Sequence, residues 1–334
     1  MFRIAPPLSN RTDDYVATRR RTLNFEVTGG EPHALGMDLL RTIPHSTEPT
    51  VISRRYVVVN TNKERVMTRD TSRSEGFEHE RREEFAADGP ISAKIVTRSG
   101  DVTVRASTDG AVGVVVGTNR ASGLERLERA VIHFDPARAT LEVETIPHGT
   151  RGAKRGEWFV TSSDLDVVLT LPEGSDLQVT TASGDTLVGA TLSDVRVTSA
   201  SGDVRATAAL EEFDVRTASG DVTAGTVHKR LRCRVASGDV TAHAAASTEI
   251  ASASGDVVLT SEGPGELSVN SASGDVTVHV ASGVTVDVTG RTISGSLRSE
   301  INLDGEGADA SASELSFIKV NTVSGDILID RARR

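Results

Sequence analysis

Seven aspartates recur in a fixed setting along the C-terminal half of this chain. Asp185, Asp203, Asp221, Asp239, Asp256, Asp275 and Asp326 each close a Ser-Gly-Asp triplet, and Asp101 closes an eighth. Carboxylates stacked about 5 Å apart repel by roughly 1 kcal/mol in a water-like dielectric, so such a ladder needs relief. A hard cation such as calcium could supply it, because it takes carboxylate and carbonyl oxygens. The alternative is structural: Asp bonds backbone N–H groups two residues on, Ser does so more weakly, and Gly admits a positive φ. Calcium-binding β-rolls use a glycine-dense nonapeptide, whereas this repeat is twice that length with one glycine in its turn. The structural reading therefore takes precedence. It makes Gly184, Gly202, Gly220, Gly238, Gly255, Gly274 and Gly325 turn positions. It leaves Asp203, Asp221, Asp239, Asp256 and Asp275 as weak cation candidates only, and no metal or other cofactor is expected.

The remaining reactive residue types give no site. His243 and His279 both stand four residues after their Asp, but two rungs apart with Thr260 between them. At about 9–10 Å they cannot share a zinc. The single cysteine, Cys233, excludes an intrachain disulfide and falls in an apolar column, where a buried core thiol is expected. Glycoside cleavage needs two carboxylates at a defined separation, and a uniform ladder singles out no pair. Between residues 171 and 330 the only aromatic rings are Phe213 and Phe317, too few for a sugar-stacking platform. No catalytic residue is assigned, and the chain reads as a non-enzyme.

The elements that would carry the aspartates follow from the spacing. From residue 183 the triplets are separated by 18, 18, 18, 17 and 19 residues, then by 21 to a degenerate copy Ser294-Gly295-Ser296, and by 30 to the last. A period near 18 is too short for helix pairs or propeller blades and fits one turn of a β-solenoid. Eight residues before the Asp stand Leu177, Val195, Phe213, Leu231, Leu267 and Ile318; six before stand Val179, Val197, Val215, Cys233, Ile250, Val269 and Val320. Four before come the mostly small residues Thr181, Ser199, Thr217, Val235, Ser252, Ser271 and Thr322. Apolar residues return one and three places after it, as in Val222 and Ala224. Columns two apart are the signature of strands with one face buried. Each coil reads as strand, SGD turn, strand and return loop. The fold expected is all-β, a single-stranded parallel β-solenoid with coils of about 18 residues.

Three regions are expected. Residues 175–330 form the SGD-repeat solenoid. Residues 85–174 form a β-rich coil and cap: Ala93–Val104 repeats the frame, then come a strand at Gly113–Gly117, a short helix over Leu124–Val131, and strands at Thr140–Thr145, from Trp158, and at Leu165–Leu171. Phe134, Trp158 and Phe159 are expected to cap the open end of the core. Residues 1–84 lack steady periodicity, carry the charge run Glu78–Glu84, and are expected to be a disordered or weakly ordered arm, with room for a short strand at Tyr56–Asn60. Met67 is a candidate true start. Residues 171–330 hold 23 acidic and 10 basic side chains, a net charge of −13 within a total of −10. An acidic rod disfavours nucleic acid as a partner. No 18-residue apolar run and no signal-peptide h-region is visible, so a cytoplasmic location is expected, with association to the envelope as the variant.

The tandem SGDV repeat resembles a bacterial putative-adhesin family, a domain of unknown function, over about residues 80–330. The stretch Glu84, Phe85, Asp88, Gly89, Pro90, Ile91 and the junction LPEGSDLQVTTASGD at 171–185 carry the likeness. The resemblance implies a β-solenoid and brings no catalytic or ligand residues with it. The function expected is a scaffold or adhesin-like binding protein with an unknown protein or cell-envelope partner. Two alternatives are a rod that self-associates end to end through exposed coil edges, and a carbohydrate-active β-helix enzyme.

Overall fold

A computed structural model describes residues 56–59, 76–145, 165–244, 247–301 and 315–332. Within them each coil places one strand on each of two faces, joined by its turn. The longer strands Asp176–Thr181, Leu192–Ser201, Leu210–Ser219, the second half of Val222–Ser237, Ser247–Ser252 and Glu266–Ser273 pair in parallel, each with the next. The shorter strands Thr186–Gly189, Val204–Ala206, the first part of Val222–Ser237, Val240–Ala244, Val257–Ser261 and Val276–Val280 do the same on the other face. Val197, Val215, Cys233, Ile250 and Val269 lie opposite one another in turn, each at most 1% exposed. The β-solenoid register expected from the columns is the register observed. Val, Ile and Leu suit it because branched side chains pack well on a pleated, half-buried surface. The space between the faces is filled by side chains of that size, with Phe213 the one fully buried ring among the described residues. Two threonines interrupt the apolar columns: Thr186, between Val102 and Val204, and Thr248, between Leu231 and Leu267. Both are buried with the hydroxyl unpartnered.

Stacking order departs from chain order at both ends. The strand Thr140–Glu144 and the strand Asp166–Leu171 lie outside Ser92–Val96 and Val102–Ala106, which therefore sit between them and Asp176–Gly189. At the far end Leu315–Ser324 inserts between Glu266–Ser273 and Thr285–Ser294, and Ile327–Arg331 inserts between Val276–Val280 and Leu297–Ser299. Among the described residues the last coil in sequence is thus the penultimate coil in space, and the degenerate Ser294-Gly295-Ser296 turn ends the stack.

The outermost N-terminal coil is covered on both faces. Val112–Thr118 runs antiparallel to Asp166–Leu171, His79–Phe85 runs antiparallel to Val112–Thr118, and Tyr56–Val59 adds a further antiparallel strand. On the other face Val131–Asp135 pairs antiparallel with Thr140–Glu144. The helix Leu124–Arg129 buries Leu127. Reversed strands occupy the hydrogen-bonding groups that an open parallel edge would expose.

The expectation of a disordered or weakly ordered arm over 1–84 is corrected at its last residues. Tyr56–Val59 is the short strand for which the sequence left room, whereas His79–Phe85, which holds most of the charge run Glu78–Glu84, is an unexpected strand of the same sheet. Alternation hid it, because the core-facing positions Arg81 and Glu83 are charged. Both are buried, and Arg81 Nε donates to Glu83 Oε1 at 2.9 Å while its Nη1 donates to Ala130 O. A buried pair of this kind needs such partners to offset desolvation. Phe85 stacks on Phe134 at 4.9 Å between ring centroids. Trp158 and Phe159, also expected in the cap, lie outside the described residues, as do Met67 and residues 1–55.

Candidate functional site: the aspartate ladder and the outer charged face

The turn aspartates form a ladder that runs between coils. Asp203 N–H donates to Asp185 Oδ1 at 2.8 Å, Asp221 to Asp203 at 3.0 Å, and Asp239 to Asp221, Asp256 to Asp239 and Asp275 to Asp256 at 2.9 Å each. At the N-terminal end Asp185 N–H donates to Asp101 Oδ1, and Asp101 N–H to Asp166 Oδ1. At the other end Asp326 N–H donates to Asp275 Oδ1, and Ser296 N–H to Asp326 Oδ1 at 2.7 Å. The return bond uses the main chain: Val204 N–H donates to Asp221 O, and Val222 N–H to Asp239 O. Each carboxylate therefore accepts from the backbone of the neighbouring coil, where the sequence reading had it bond within its own turn. In-register stacking sets the next turn's N–H within 2.8–3.0 Å of the carboxylate. Charge-assisted bonds of this type are the stronger kind, and they hold the Asp326 carboxyl below the usual carboxylate range.

Two features of the same turn sharpen the fit. The glycines have φ between +113° and +138° from Gly184 to Gly325. A Cβ built on Gly220 would stand 2.3 Å from Gly202 O, and similar contacts recur along the column. Beneath the turn, five of the seven residues four before the Asp cap its serine carbonyl; Val235 has no hydroxyl, and Ser252 Oγ is buried without a partner. Thr181 Oγ1 donates to Ser183 O at 3.0 Å, Ser199 Oγ to Ser201 O at 2.8 Å, and Thr217 Oγ1 to Ser219 O at 2.9 Å, with the same bond at Ser271 and Thr322. The sequence marked this column only as small; hydroxyl-bearing in six of seven members was the available signal.

Among the cation candidates Asp203, Asp221, Asp239, Asp256 and Asp275, Oδ1 of each is thus engaged, and Asp203 Oδ2 also accepts from Arg205 Nη2 at 3.4 Å. Among the described residues no group of three His, Cys, Asp or Glu side chains is gathered to hold a metal ion. Isothermal calorimetry with calcium is expected to show no micromolar binding; a tight isotherm with a large rise in melting temperature would mean that the free oxygens converge on an ion.

His243 and His279 are separated by Thr260, as the spacing required. Each instead meets an acid: His243 Nδ1 lies 3.6 Å from Glu262, and His279 Nδ1 meets Asp330. The second pairing was hidden because it depends on the inserted last coil. Cys233 is fully buried, and burial, aided by the nearby Asp214 charge, pushes its thiol from 9.0 up to about 12. Below pH 9 the thiol is neutral in both folded and unfolded chains. As pH rises from 9 toward 12 only the unfolded chain ionises, so this residue's linkage lowers stability over that window. Cys233→Val should flatten that part of the stability–pH curve, and native Cys233 should resist a thiol reagent that labels the unfolded chain stoichiometrically. Identical curves for the two proteins would show that the thiol is not desolvated.

The outer side of the longer face carries a charged lattice. In-register neighbours place Asp194 beside Glu212, and Arg196, Asp214, Arg232 and Glu249 in one row. Arg196 pairs with Asp194 at 2.5 Å, Arg216 with Asp214 at 3.5 Å, Arg232 with Glu249 at 2.8 Å, and Arg230 with Glu212. Asp194, Arg196, Glu212, Asp214, Arg230 and Arg232 line a shallow groove of about 180 Å³. Burial lifts the Asp194 carboxyl above the ordinary carboxylate range; Arg196 opposes this, while Glu212 and Asp176 add to it. Exposed pairs of this sort contribute little stability individually. They can exchange partners with charges on another surface.

A family model described as Toastrack DUF4097 matches residues 92–330. The chain belongs to that family. The matched span of the Toastrack domain runs from the first SGD coil through the inserted last coil. No curated protein matches the chain. Solved structures similar to it include a putative adhesin from Bacteroides fragilis, 11% identical over 75% of this chain and 97% of its own, with a TM-score of 0.43. A putative cell adhesion protein from Clostridium sporogenes is 10% identical over 76% of this chain and 99% of its own, with a TM-score of 0.29. A putative lipid binding protein from Parabacteroides distasonis is 10% identical over 78% and 98%, with a TM-score of 0.25. Among the described residues of the Toastrack chain, no helix is long and apolar enough to cross a membrane.

Proposed function

We propose that this protein is a non-enzymatic β-solenoid binding module of adhesin type, which presents the outer face of its longer strands to a charged cell-envelope partner. The observation that supports this most is how its polar side chains are engaged. The repeated aspartates hold neighbouring coils together, while the charges that remain accessible form the alternating lattice from Asp194 to Glu249. A rigid, flat, regularly spaced array suits recognition of an extended polyionic surface, and its affinity should fall with salt. Catalysis would call for a particular pair of acids set apart from the rest.

The test pairs binding with turnover. Full-length protein is co-sedimented with isolated bacterial cell envelopes, and in parallel incubated with homogalacturonan while reducing ends are measured. Binding that weakens severalfold in high salt and in Arg230→Glu/Arg232→Glu, without release of reducing ends, is the expected result. Reducing ends formed above background would replace this reading with a carbohydrate-active enzyme. Binding indifferent to both salt and the double substitution would remove the charged face from it.

A further inference from the structure

The two ends of the solenoid are finished differently. At the N-terminal end antiparallel strands cover both faces. At the other end, among the described residues, Thr285–Ser294 pairs only with Leu315–Ser324, and Leu297–Ser299 only with Ile327–Arg331. Among the described residues no strand pairs with their outer edges, and an open edge templates another strand. The core is open there too. Val286 and Val288 are only half-buried, and Leu297 is 47% exposed in a column where Val276 and Ile327 are at most 1% exposed. The Asp ladder also stops, because Ser296 stands where each other turn has a carboxylate. A further coil of the same kind has no carboxylate to accept its turn N–H, so the ladder does not continue past this end.

We propose that this edge is closed by a second copy of the same chain, tail to tail, through antiparallel pairing of Thr285–Ser294 about a two-fold axis at Thr289. The sequence of the strand, TVDVTGRTIS, is self-complementary in that register. Opposite residues of an antiparallel pair share a face. Centring on Thr289 sets Asp287 opposite Arg291 of the partner subunit, and Arg291 opposite the partner's Asp287. Both side chains are exposed on the outer side of the strand. Shifting the register by two residues in either direction loses both pairs. A shift by one would turn the half-buried Val286 and Val288 out of the core line. An isologous contact of this kind closes at two subunits. At the N-terminal end the edges of the outermost coil are taken by antiparallel strands among the described residues, so the parallel coil edge that makes this contact is not repeated there.

Sedimentation velocity of the full chain over a wide concentration range tests this. A monomer–dimer equilibrium with no larger species is expected. Arg291→Asp sets two acids opposite each other twice, and should weaken dimerisation roughly tenfold or more. Asp287→Arg/Arg291→Asp exchanges the charges and should restore it. Since both residues are exposed, circular dichroism should be unchanged in every variant. A chain that stays monomeric at all concentrations, one that forms filaments, or a dimer that ignores Arg291→Asp would overturn the proposal. So would a double variant no better than the single one.

Discussion

Gly220→Ala is expected to lower the melting temperature by roughly 10 °C, more than most single substitutions elsewhere in the protein. Two effects add. At φ +121° an L residue lies outside its allowed wells, a strain of about 1–3 kcal/mol. The new Cβ would also stand 2.3 Å from Gly202 O. That carbonyl is backbone held by the ladder on both sides, so it cannot yield without shifting a coil. Gly110 separates the terms: its φ is +78°, yet nothing lies within 4 Å of a Cβ built there. Gly110→Ala should therefore show the strain alone, with a drop of a few degrees. Thermal unfolding followed by circular dichroism checks both. Equal shifts in the two variants would mean that the close approach of stacked turns contributes nothing, and that the glycine column reflects turn conformation only.

That column was legible in the sequence because geometry repeats with it. Gly, the apolar positions two apart and the period near 18 all report one constraint, a strand–turn–strand unit stacked in register. Other features were illegible for definite reasons. The period said that coils stack, but pairing is read from chain order only by default, so the exchange of Leu315–Arg331 with Thr285–Ser299 left no trace in any column. One clue was present: the 30-residue spacing before the last triplet, with Ser296 in the copy that precedes it. A turn at the end of a stack has no following coil whose N–H it must accept, so loss of Asp there is what an end coil permits. The strand His79–Phe85 was missed because its buried face carries Arg81 and Glu83, which cancel the alternation on which strand recognition rests. The acids facing His243 and His279 became visible only once the register of the shorter face was known.

Truncation after Ile301 should unfold the C-terminal end of the solenoid, a much larger effect than loss of a terminal coil in a linear stack. In such a stack the last repeat contributes one interface. Here the segment Leu315–Arg331 contributes two, to Glu266–Val280 on one side and Thr285–Ser299 on the other. Its Ile318, Val320, Ile327 and Ile329 are at most 2% exposed. Burying four such side chains stabilises by about 6–12 kcal/mol before the entropy of ordering the segment is subtracted, which is comparable with the net stability of many domains. The ladder is cut as well, since Asp326 links Asp275 to Ser296. Hydrogen exchange on the truncated chain should show Thr285–Ser299 fully unprotected and Glu266–Val280 strongly weakened, with Leu192–Ser219 little changed, because coils contact only their neighbours. The competing outcome is specific. Thr285–Ser294 could dock directly onto Glu266–Ser273 in the vacated register, since the 281–284 connection is as long as the 262–265 connection between Val257–Ser261 and Glu266–Ser273. Native-like protection in both strands after truncation would establish that rearrangement, and would show that the inserted coil is dispensable for pairing at that end.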